Sequence, residues 1–399
     1  MKITWASNAP WAPTGYGTQT RQVIKRLQAD GHEVAVAANF GLQSHPMRDP
    51  ETGIPVFPSG ADAYGNDVIL EHHKLFGGDW IISLYDVWVY TNPGFDEVNF
   101  ASWTPVDHQP VPPKVEDWAK RHPTIAMSRF GEAELKAKGI PAMYAPHALE
   151  LDVWKPTPTL PDGRSVRETI GVPDDAFLII INAANKGNVP PRKAWGEMLY
   201  GVALLMQERP DAFLYIHTEL RGVYGGVDLI YLMSLLGIQP ERCRFPDQYA
   251  LLTGLLEPTI LAAHYTAADV LLATSMGEGF GLTVLEAQAC GTPVIVTDFS
   301  AQPELVGGGW KVAWQHYYDH TQGSHFAIPL ISHIFHALRE AYERKGDPEL
   351  RALSLAKAAE YDADAVYAEH WRPILASLEE KLKPVKRAVR RKNARKRAA

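Results

Sequence analysis

Short, uninterrupted apolar runs alternate with polar or glycine-rich loops and with segments of helical periodicity along most of this chain. Runs of this kind, rich in Ile, Val and Leu, are typical of strands that are buried on both faces of a parallel sheet. Strands that alternate with helices predict a mostly parallel sheet. In the first half the pattern predicts strands at 2–7, 33–40, 80–86, 102–107, 124–128 and 142–148, a Gly/Pro loop at 9–20, and helices at 20–30 and 131–139.

The second half repeats this alternation. It predicts strands at 177–185, 212–219, 268–275 and 292–298, and helices at 194–208 and 282–290. Between the halves, residues 151–163 are rich in Pro and Asp, which is typical of a linker. We therefore expect an α/β protein with two Rossmann-like domains whose parallel sheets face a central cleft.

One stretch, GEGFGLTVLEAQACGTPVIVTD at 277–298, adds chemistry to the strand pattern. Gly277, Gly279 and Gly281 follow a buried strand and give a loop whose backbone can approach a ligand closely. The next helix leaves unpaired backbone N–H groups at its start, and together with the helix dipole these favour an anion such as a phosphate. A strand, a glycine loop, a helix and a strand in this order indicate a ligand-binding unit.

Two carboxylates flank the start of that helix. Glu278 lies in the loop and Glu286 one turn into the helix, so both can face the carboxyl end of the sheet and accept hydrogen bonds from hydroxyl groups. A ligand in which phosphates are flanked by hydroxyl-rich groups fits this arrangement, and a sugar nucleotide is such a ligand. In the alternative interpretation Glu286 is only a favourable charge near a helix start and Glu278 an exposed loop residue, but this leaves the glycines and the flanking strands unexplained.

The stretch resembles the E-x7-E signature of retaining GT-B glycosyltransferases of the family-4 type, and YTAADV at 265–270 resembles the segment that leads into it. The resemblance runs in order over most of residues 1–305. It implies the GT-B fold and a nucleotide diphosphate sugar as donor substrate, with no further cofactor. No Asp-x-Asp motif lies at a plausible site, which agrees with a metal-independent reaction. The resemblance also implies that Glu278 contacts the transferred sugar and that Glu286 holds the ribose. The loop amides that would bind donor groups are those of Gly279, Phe280, Gly281 and Leu282.

A basic loop, NKGNVPPRKAW at 185–195, follows the first strand of the second half. Its cations Lys186, Arg192 and Lys193 can neutralise the charge that develops on a leaving diphosphate, which is the main electrostatic demand of glycosyl transfer without a metal. By the resemblance Lys193 fits a donor-binding lysine, whereas Asn185 and Lys186 stand where family members carry an arginine. The alternative is that these cations are solvated charges on a surface loop.

The first half offers weaker candidates. Gly15 and Gly17 lie between its first strand and first helix, where they approach the donor phosphates or simply form a tight turn. Asp107 and His108 close a predicted strand, and His108 resembles the family's active-site histidine, which can donate a hydrogen bond to a sugar. Asp86 closes another strand and, like Asp107, is a candidate for contact with the acceptor, although Asp86 suits a loop-capping role equally well.

The resemblance also sets the expected domain boundaries. Residues 1–155 would form an acceptor-side domain and 156–360 a donor-side domain, followed at 361–382 by a helix that is broken near Pro373 and returns to the first domain. The tail at 383–399 holds nine Lys and Arg and no acid, in a chain of net charge −7. Such a tail can bind nucleic acid, anionic lipid or an acidic partner, or it is a disordered solubilising segment.

Composition adds little to this picture. With 399 residues, of which 46% are hydrophobic, the chain is long enough for two cores. No apolar run approaches the roughly 18 residues of a membrane span, and the N-terminus lacks the features of a signal peptide, so we expect no transmembrane segment and a cytoplasmic protein. Cys243 and Cys290 lie far apart without metal-ligand spacing, which favours buried thiols in a reducing compartment.

The predicted function is transfer of a hexose-type sugar from a nucleotide diphosphate sugar to an acceptor hydroxyl, and the resemblance implies retention of anomeric configuration. His108, Lys193 and Glu278 are the expected catalytic residues. Two alternatives stay open: an epimerase or hydrolase of sugar nucleotides with the same architecture, and a non-catalytic protein that docks on nucleic acid or membrane through its basic tail. The sequence does not identify the acceptor, which is a carbohydrate, a lipid or a protein.

Overall fold

The computed structural model describes residues 1–187 and 191–382, so the basic tail predicted at 383–399 lies outside the described residues. The first part of the chain forms an eight-stranded sheet. Its strands are β1 Lys2–Ser7, β2 Glu33–Ala38, β3 Met47–Arg48, β4 Pro55–Phe57, β5 Trp80–Leu84, β6 Phe100–Thr104, β7 Thr124–Ala126 and β8 Ala142–Tyr144. Their order across the sheet is β3-β4-β2-β1-β5-β6-β7-β8, and all neighbours are parallel except β3 and β4.

The second part forms a six-stranded sheet in which all neighbours are parallel. Its strands are β9 Phe177–Asn182, β10 Ala212–His217, β11 Cys243–Arg244, β12 Val270–Ala273, β13 Val294–Thr297 and β14 Gly309–Val312, in the order β11-β10-β9-β12-β13-β14. An antiparallel hairpin follows, formed by β15 Trp314–Asp319 and β16 Ser324–Pro329. The parts of the chain that carry the eight-stranded and the six-stranded sheet are called the first half and the second half. Strands β15 and β16 are called the hairpin.

Helices connect the strands of both sheets. In the first half they are α1 Gly15–Ala29, α2 Ile69–Phe76, α3 Pro113–Arg121 and α4 Arg129–Ala137. In the second half and beyond they are α5 Val166–Ile170, α6 Trp195–Glu208, α7 Leu229–Leu235, α8 Gln248–Thr253, α9 Pro258–Ala267, α10 Leu282–Ala289, α11 Ile331–Glu343, α12 Pro348–Ala359 and α13 Ala363–Val366. The predicted alternation and the parallel sheets of an α/β fold are confirmed.

The strand predicted at 102–107 is shifted, because β6 spans Phe100–Thr104. Pro105 follows it directly, and proline has no N–H to donate to a neighbouring strand, so the ladder ends there. Asp107 consequently lies in the loop after the strand, at the carboxyl edge of the sheet.

The Gly/Pro loop predicted at 9–20 is wrong in its second part, because α1 begins at Gly15. Thr14 is extended, and its side chain accepts a hydrogen bond from the backbone N–H of Gly17, so Thr14 caps the helix. A Cβ at position 17 would overlap the carbonyl oxygen of Ala12, so glycine is required where the loop folds back on the helix. Both glycines of this segment therefore belong to the first turn of α1.

The helix break predicted near Pro373 is also wrong. Helix α13 passes into a π-helical turn, Tyr367–Trp371, and residues 372–382 continue as helix. A proline removes one N–H and crowds the carbonyl of the preceding turn, and the wider π turn just before Pro373 accommodates both effects. The helix therefore continues through the proline.

One apolar core connects the two sheets and this C-terminal helix. It contains Trp5 and Trp103 from the first sheet, Leu271 from the second, Phe280 from the glycine loop and Trp371 from the π turn. Both cysteines are buried and form no disulfide. Within residues 1–187 and 191–382, no helix combines the length and the apolar character that a bilayer span requires.

Candidate functional site

The glycine loop before α10 meets the first half of the chain at the carboxyl end of β6. A Cβ at Gly277 would overlap the carbonyl oxygen of Asp107, and a Cβ at Gly279 would overlap Pro105. These two glycines therefore permit close approach of the two halves, whereas the sequence suggested approach of a ligand. Gly281 has φ +116° and precedes α10 as its cap residue, a conformation that favours glycine.

Glu278 is the centre of an ion-pair cluster within this loop. Arg192 Nη1 lies 2.9 Å from Glu278 Oε2, and Lys193 donates a hydrogen bond to Glu278 Oε1. The backbone N–H of Glu278 donates to Ser300 Oγ at 2.8 Å. Only 14% of the Glu278 side chain is exposed. The structure therefore brings together three of the sequence candidates of the second half, Glu278, Arg192 and Lys193.

Both cations come from the loop that leads into α6, and this loop is anchored to the end of β12. The backbone N–H of Met276 donates to the carbonyl of Arg192 at 2.8 Å, and the Arg192 guanidinium donates to the carbonyl of Gly277. Ala194, at φ 50°, turns the chain into α6 directly after Lys193. The positions of the two cations are thus fixed by the backbone as well as by the carboxylate.

The cluster shifts the ionisation of its members. Burial opposes the charge on Glu278, but Arg192 and Lys193 outweigh it and hold the pKa of this carboxyl far below its usual range. Burial also lowers the pKa of Lys193, and the nearby Glu278 offsets part of that effect. The pKa of Arg192 is raised, because Glu278 and Asp107 overcome the effect of its burial. Together, Arg192, Lys193 and Glu278 carry a net positive charge, which favours an anionic ligand.

Backbone donors lie beside this cluster at the start of α10. In the described part of the chain, no acceptor receives a hydrogen bond from the N–H groups of Phe280, Gly281 or Leu282. These groups and the positive end of the helix dipole favour an anion at this point. A Cβ at Gly15 would lie 3.2 Å from Leu282 Cδ1, so the first turns of α1 and α10 lie next to each other across the cleft.

Glu286 lies one turn into α10 and is held by a relay of side chains. The Tyr265 hydroxyl lies 3.3 Å from Glu286 Oε2, and the Asn182 amide donates to the Tyr265 oxygen at 2.7 Å. Burial raises the pKa of Glu286 to about 7, and the hydrogen bond from Tyr265 acts in the opposite direction. Among the described ion pairs none involves Glu286, so its carboxyl is available for a hydroxyl-bearing ligand.

Two acidic residues of the first half lie opposite the cluster. Burial raises the pKa of Asp86 to about 6; Asp107 adds to this rise and Arg192 opposes it. The Tyr16 hydroxyl lies 3.4 Å from Asp86 Oδ2. For Asp107, burial is outweighed by His108, and the pKa of the Asp107 carboxyl is lowered. The carboxyl ends of the two sheets face one another here, since Gly277 lies against the carbonyl of Asp107, and both acids are electrostatically coupled to Arg192.

The His108 side chain is enclosed rather than open to the cleft. Its Nδ1 lies 2.7 Å from Asp107 Oδ1 and its Nε2 lies 3.3 Å from Asp319 Oδ2. The ring stacks on Phe326 with centroids 3.6 Å apart, and only 4% of His108 is exposed. In this conformation carboxylates occupy both ring nitrogens, so neither nitrogen is available to a sugar.

Lys186 does not join the cluster in this structure. It is exposed and forms backbone bridges with Tyr224 and Gly225, on the loop that follows β10. This position matches the alternative interpretation of a solvated loop charge, and its role in donor binding stays a prediction.

Sequence reasoning missed two contributors to the site. Asp319 and Phe326 lie on the hairpin, and alternating aromatic and polar residues around the turn signal at 319–324 are the pattern that could have predicted it. Tyr265 was noted only as part of a motif, because no pattern shows that its hydroxyl reaches a carboxyl group 21 residues away.

The family model described as Glycosyl transferases group 1 matches residues 237–319, which include the glycine loop and α10. A D-inositol 3-phosphate glycosyltransferase from Mycobacterium leprae is 29% identical over 233 residues, which are 57% of this chain and 48% of that protein. Relatives of the same description are matched over 31% to 48% of their own length, so this chain spans less than half of them.

Solved structures are similar over nearly the whole chain. Sucrose-phosphate synthase from Thermosynechococcus elongatus has a TM-score of 0.68 at 16% identity, covering 97% of this chain and 100% of that one. HepE from Anabaena, solved in complex with UDP-glucose, has a TM-score of 0.66 at 16% identity, covering 94% of this chain and 100% of that one. At such low identity the likeness shows the fold, which is GT-B. Over residues 237–319 the chain is thus similar in sequence to the glycosyl transferases group 1, and over nearly its whole length it shares the GT-B fold.

Proposed function

We propose that this protein transfers a hexose-type sugar from a nucleotide diphosphate sugar to an acceptor hydroxyl, with retention of anomeric configuration and without a metal. The observation that carries the proposal is the position of Glu278 between Arg192 and Lys193. It lies beside the N–H groups at the start of α10, which have no acceptor among residues 1–187 and 191–382. One site thereby offers positive charge for a diphosphate and a carboxylate for sugar hydroxyls.

Binding of the donor would exchange the partners of the two cations. Phosphate oxygens would take over hydrogen bonds that Arg192 and Lys193 now make to Glu278, and the released carboxylate oxygens would accept hydrogen bonds from the sugar. The guanidinium fork suits two phosphate oxygens and the ammonium acts as a point charge. Positive charge at the leaving oxygen then lowers the barrier to cleavage of the sugar–phosphate bond.

Glu286 would bind the ribose of the donor in this proposal. Hydroxyl groups that donate to a carboxyl favour its ionised form, so ribose binding would lower a pKa that burial has raised to about 7. The amides of Phe280, Gly281 and Leu282 would hold the phosphates between the two glutamates. Glu278 and Glu286 would thus bind the two ends of the donor, its sugar and its ribose.

The acceptor would enter from the side of Asp86 and Asp107. In a front-face mechanism the leaving phosphate oxygen takes the acceptor proton, so the new bond forms on the face from which the diphosphate departs, and the configuration is retained. No protein nucleophile is needed. The proposal includes an acceptor-side domain at 1–155 and a donor-side domain at 156–360, with 361–382 returning to the first; this division is supported by the separate sheets.

The comparisons support the donor class in two ways. The relatives are described as glycosyltransferases, and a structural neighbour was solved with UDP-glucose. Since the chain spans less than half of those relatives, its donor base and its acceptor must be determined on this protein itself.

The test begins with a screen of uridine, guanosine and adenosine diphosphate sugars by thermal shift. A true donor binds only the folded protein and should raise its melting temperature by mass action. The selected donor is then incubated with saccharide, lipid and peptide acceptors. A transferase attaches the sugar to an acceptor, whereas a hydrolase releases it as free sugar without any acceptor and an epimerase returns an altered donor. No response to any donor would contradict the proposal.

A non-catalytic protein that docks through its basic tail gives the opposite pattern. Deletion of 383–399 would abolish its binding, and Glu278→Ala would leave binding untouched. We expect Glu278→Ala to abolish sugar transfer, and a truncated chain to keep its response to the donor.

A further inference from the structure

The hairpin belongs to the second half of the chain but is hydrogen-bonded to the first half. Gln109 and His325 exchange two backbone hydrogen bonds of 3.1 and 3.3 Å, and the Ser324 hydroxyl donates to the carbonyl of Pro110. The loop after β6 is therefore paired with β16 along its backbone.

The hairpin is also joined to the strand end that carries the ion-pair cluster. The backbone N–H of Ala327 donates to the carbonyl of Met276 at 2.9 Å, two residues before Glu278. A Cβ at Gly277 would collide with the ring of Phe326 as well as with the first half. The hairpin thus touches both sides of the cleft beside the site.

His108 is the point where these contacts meet. Asp107 binds its Nδ1 and Asp319 binds its Nε2, while Phe326 covers one face of the ring. A neutral imidazole has a single N–H and can donate to only one of two carboxylates, whereas the imidazolium donates to both. The geometry therefore fits a buried imidazolium between two carboxylates, one from each half of the chain.

We propose that Asp319 is a positioning residue that acts through His108: it holds the imidazolium that orients Asp107 and thereby fastens the hairpin across the cleft. His108 then contributes to the reaction by placing Asp107 beside Arg192, without touching the sugar itself in this conformation. The effect of Asp319 on the rate of sugar transfer rests on the proposed function, whereas the protonation state of His108 does not.

The interaction of His108 with its two carboxylates depends on pH. The groups that face His108 are Asp107, Asp319 and the ring of Phe326, and Asp107 is in turn coupled to Arg192 and Glu278. Burial lowers the pKa of His108, but the two carboxylates outweigh it and raise this pKa above its usual value. The interaction is therefore complete below this pKa, as long as both carboxylates stay ionised. As the pH rises through the raised pKa, the ring loses one N–H and one carboxylate loses its donor.

The state of His108 can be measured by NMR on the full chain without any substrate. The ring signals of His108, identified by their loss in His108→Gln, are titrated in the wild type and in Asp319→Asn. We expect a wild-type pKa above the ordinary value of about 6.5 and a fall of roughly one pH unit in Asp319→Asn, because an opposite charge within hydrogen-bonding distance is lost. Gln315→Ala, an exposed position on the same hairpin, is the control and should leave the titration unchanged.

A purely structural role for Asp319 would leave the His108 titration in place and alter only the melting temperature, and this result would overturn the proposal. If Asp319→Asn does not fold, the titration of His108 in the wild type tests the proposal by itself. A His108 pKa at or below about 6.5 is incompatible with an imidazolium held by two carboxylates.

Kinetics supply the second readout. The alkaline limb of kcat/KM should move to lower pH by roughly one unit in Asp319→Asn, and Gln315→Ala should keep the wild-type profile. If Asp319→Asn shifts the His108 titration but leaves the alkaline limb of kcat/KM unchanged, the positioning role is rejected. Absence of all sugar transfer beside a shifted titration would reject the proposed function and leave the assignment of His108 intact.

Discussion

Lys193 donates a hydrogen bond to Glu278, 85 residues away in sequence, and Arg192 pairs with the second oxygen of the same carboxylate. The two cations lie on the loop before α6 and Glu278 lies on the loop before α10, and a backbone hydrogen bond from Met276 to Arg192 joins the two loops. The positive groups of the proposed donor site are thus in place before a donor arrives. Such prior ordering reduces the reorganisation needed when charge develops on the leaving diphosphate.

Replacement of Glu278 should affect catalysis more than binding. Glu278→Gln keeps the shape of the side chain but removes the charge that positions the cations and orients the sugar. We expect kcat to fall by about a hundredfold, the range typical of removing one preorganised polar group. Glu257→Gln, an exposed glutamate before α9, is the control and should retain wild-type rates. Equal rates in both variants would reject the role of Glu278.

Lys193 should contribute to catalysis mainly by stabilising the charge on the leaving diphosphate. Lys193→Ala removes a charge beside the leaving oxygen, and we expect kcat/KM for the donor to fall by about a hundredfold. Lys311→Ala removes an exposed lysine of β14 and should have no effect. Steady-state kinetics with the donor found in the screen distinguish the two variants, and a similar kcat/KM for both would show that Lys193 does not contact the donor.

Donor binding should weaken as the pH falls through the raised pKa of Glu286. With a pKa of about 7 this carboxyl is ionised above neutrality and protonated below it. Since only the ionised form accepts hydrogen bonds from both ribose hydroxyls, the Kd of a nucleoside diphosphate should rise roughly tenfold from near pH 8 to near pH 6. Calorimetric titration measures this change. Glu286→Gln should bind weakly at both pH values, and a wild-type Kd that is independent of pH would contradict the assignment.

The hydroxyl of Tyr265 should tune the same carboxyl. Tyr265→Phe removes the hydrogen bond to Glu286, so the pKa of Glu286 should rise further and the pH-dependent loss of donor affinity should begin at higher pH. The calorimetric series used for the wild type checks this shift. A variant with the wild-type pH dependence would show that Tyr265 has no influence on the site.

Close approach of the two halves at the glycine loop should be needed for transfer. A Cβ at position 279 would overlap Pro105, so Gly279→Ala should hold the halves apart and lower kcat by at least about tenfold while the donor still binds. At Gly196, in the first turn of α6, a Cβ would meet nothing within 4 Å, and Gly196→Ala is the matched control. Full activity in Gly279→Ala would show that this contact is dispensable.

Metal removal should leave the reaction unchanged, because the proposal assigns charge stabilisation to Arg192 and Lys193. We expect equal rates in excess EDTA and in added Mg²⁺ or Mn²⁺. Loss of activity in EDTA and its recovery with a divalent cation would show that a metal shares this task.

The sequence predicted most strands of the two parallel sheets and the GT-B fold, because hydrophobic runs and the E-x7-E stretch depend on neighbours in the chain. It also contains a capping signal at Thr14, from which the start of α1 could have been predicted. Lys193, whose partner lies on a neighbouring element, could be predicted as a site residue because it follows a strand.

Other parts of the site depend on contacts that no local pattern encodes. Gly277 and Gly279 were interpreted as openings for a ligand, since a sequence does not reveal what faces a glycine. His108 and Asp319 are 211 residues apart, and their contact depends on a hairpin that crosses between the halves. Burial decides the ionisation of Glu286, and burial follows only from the complete fold.

The most direct test of the proposed function is a transfer assay with the full chain, the donor selected by thermal shift and the acceptor series, read by mass spectrometry of the acceptor. We expect the wild type to add one hexose unit to an acceptor and to release the nucleoside diphosphate in equal amount, with Glu278→Gln slowed by about a hundredfold. Release of free sugar without a modified acceptor, or equal rates for the wild type and Glu278→Gln, would contradict it.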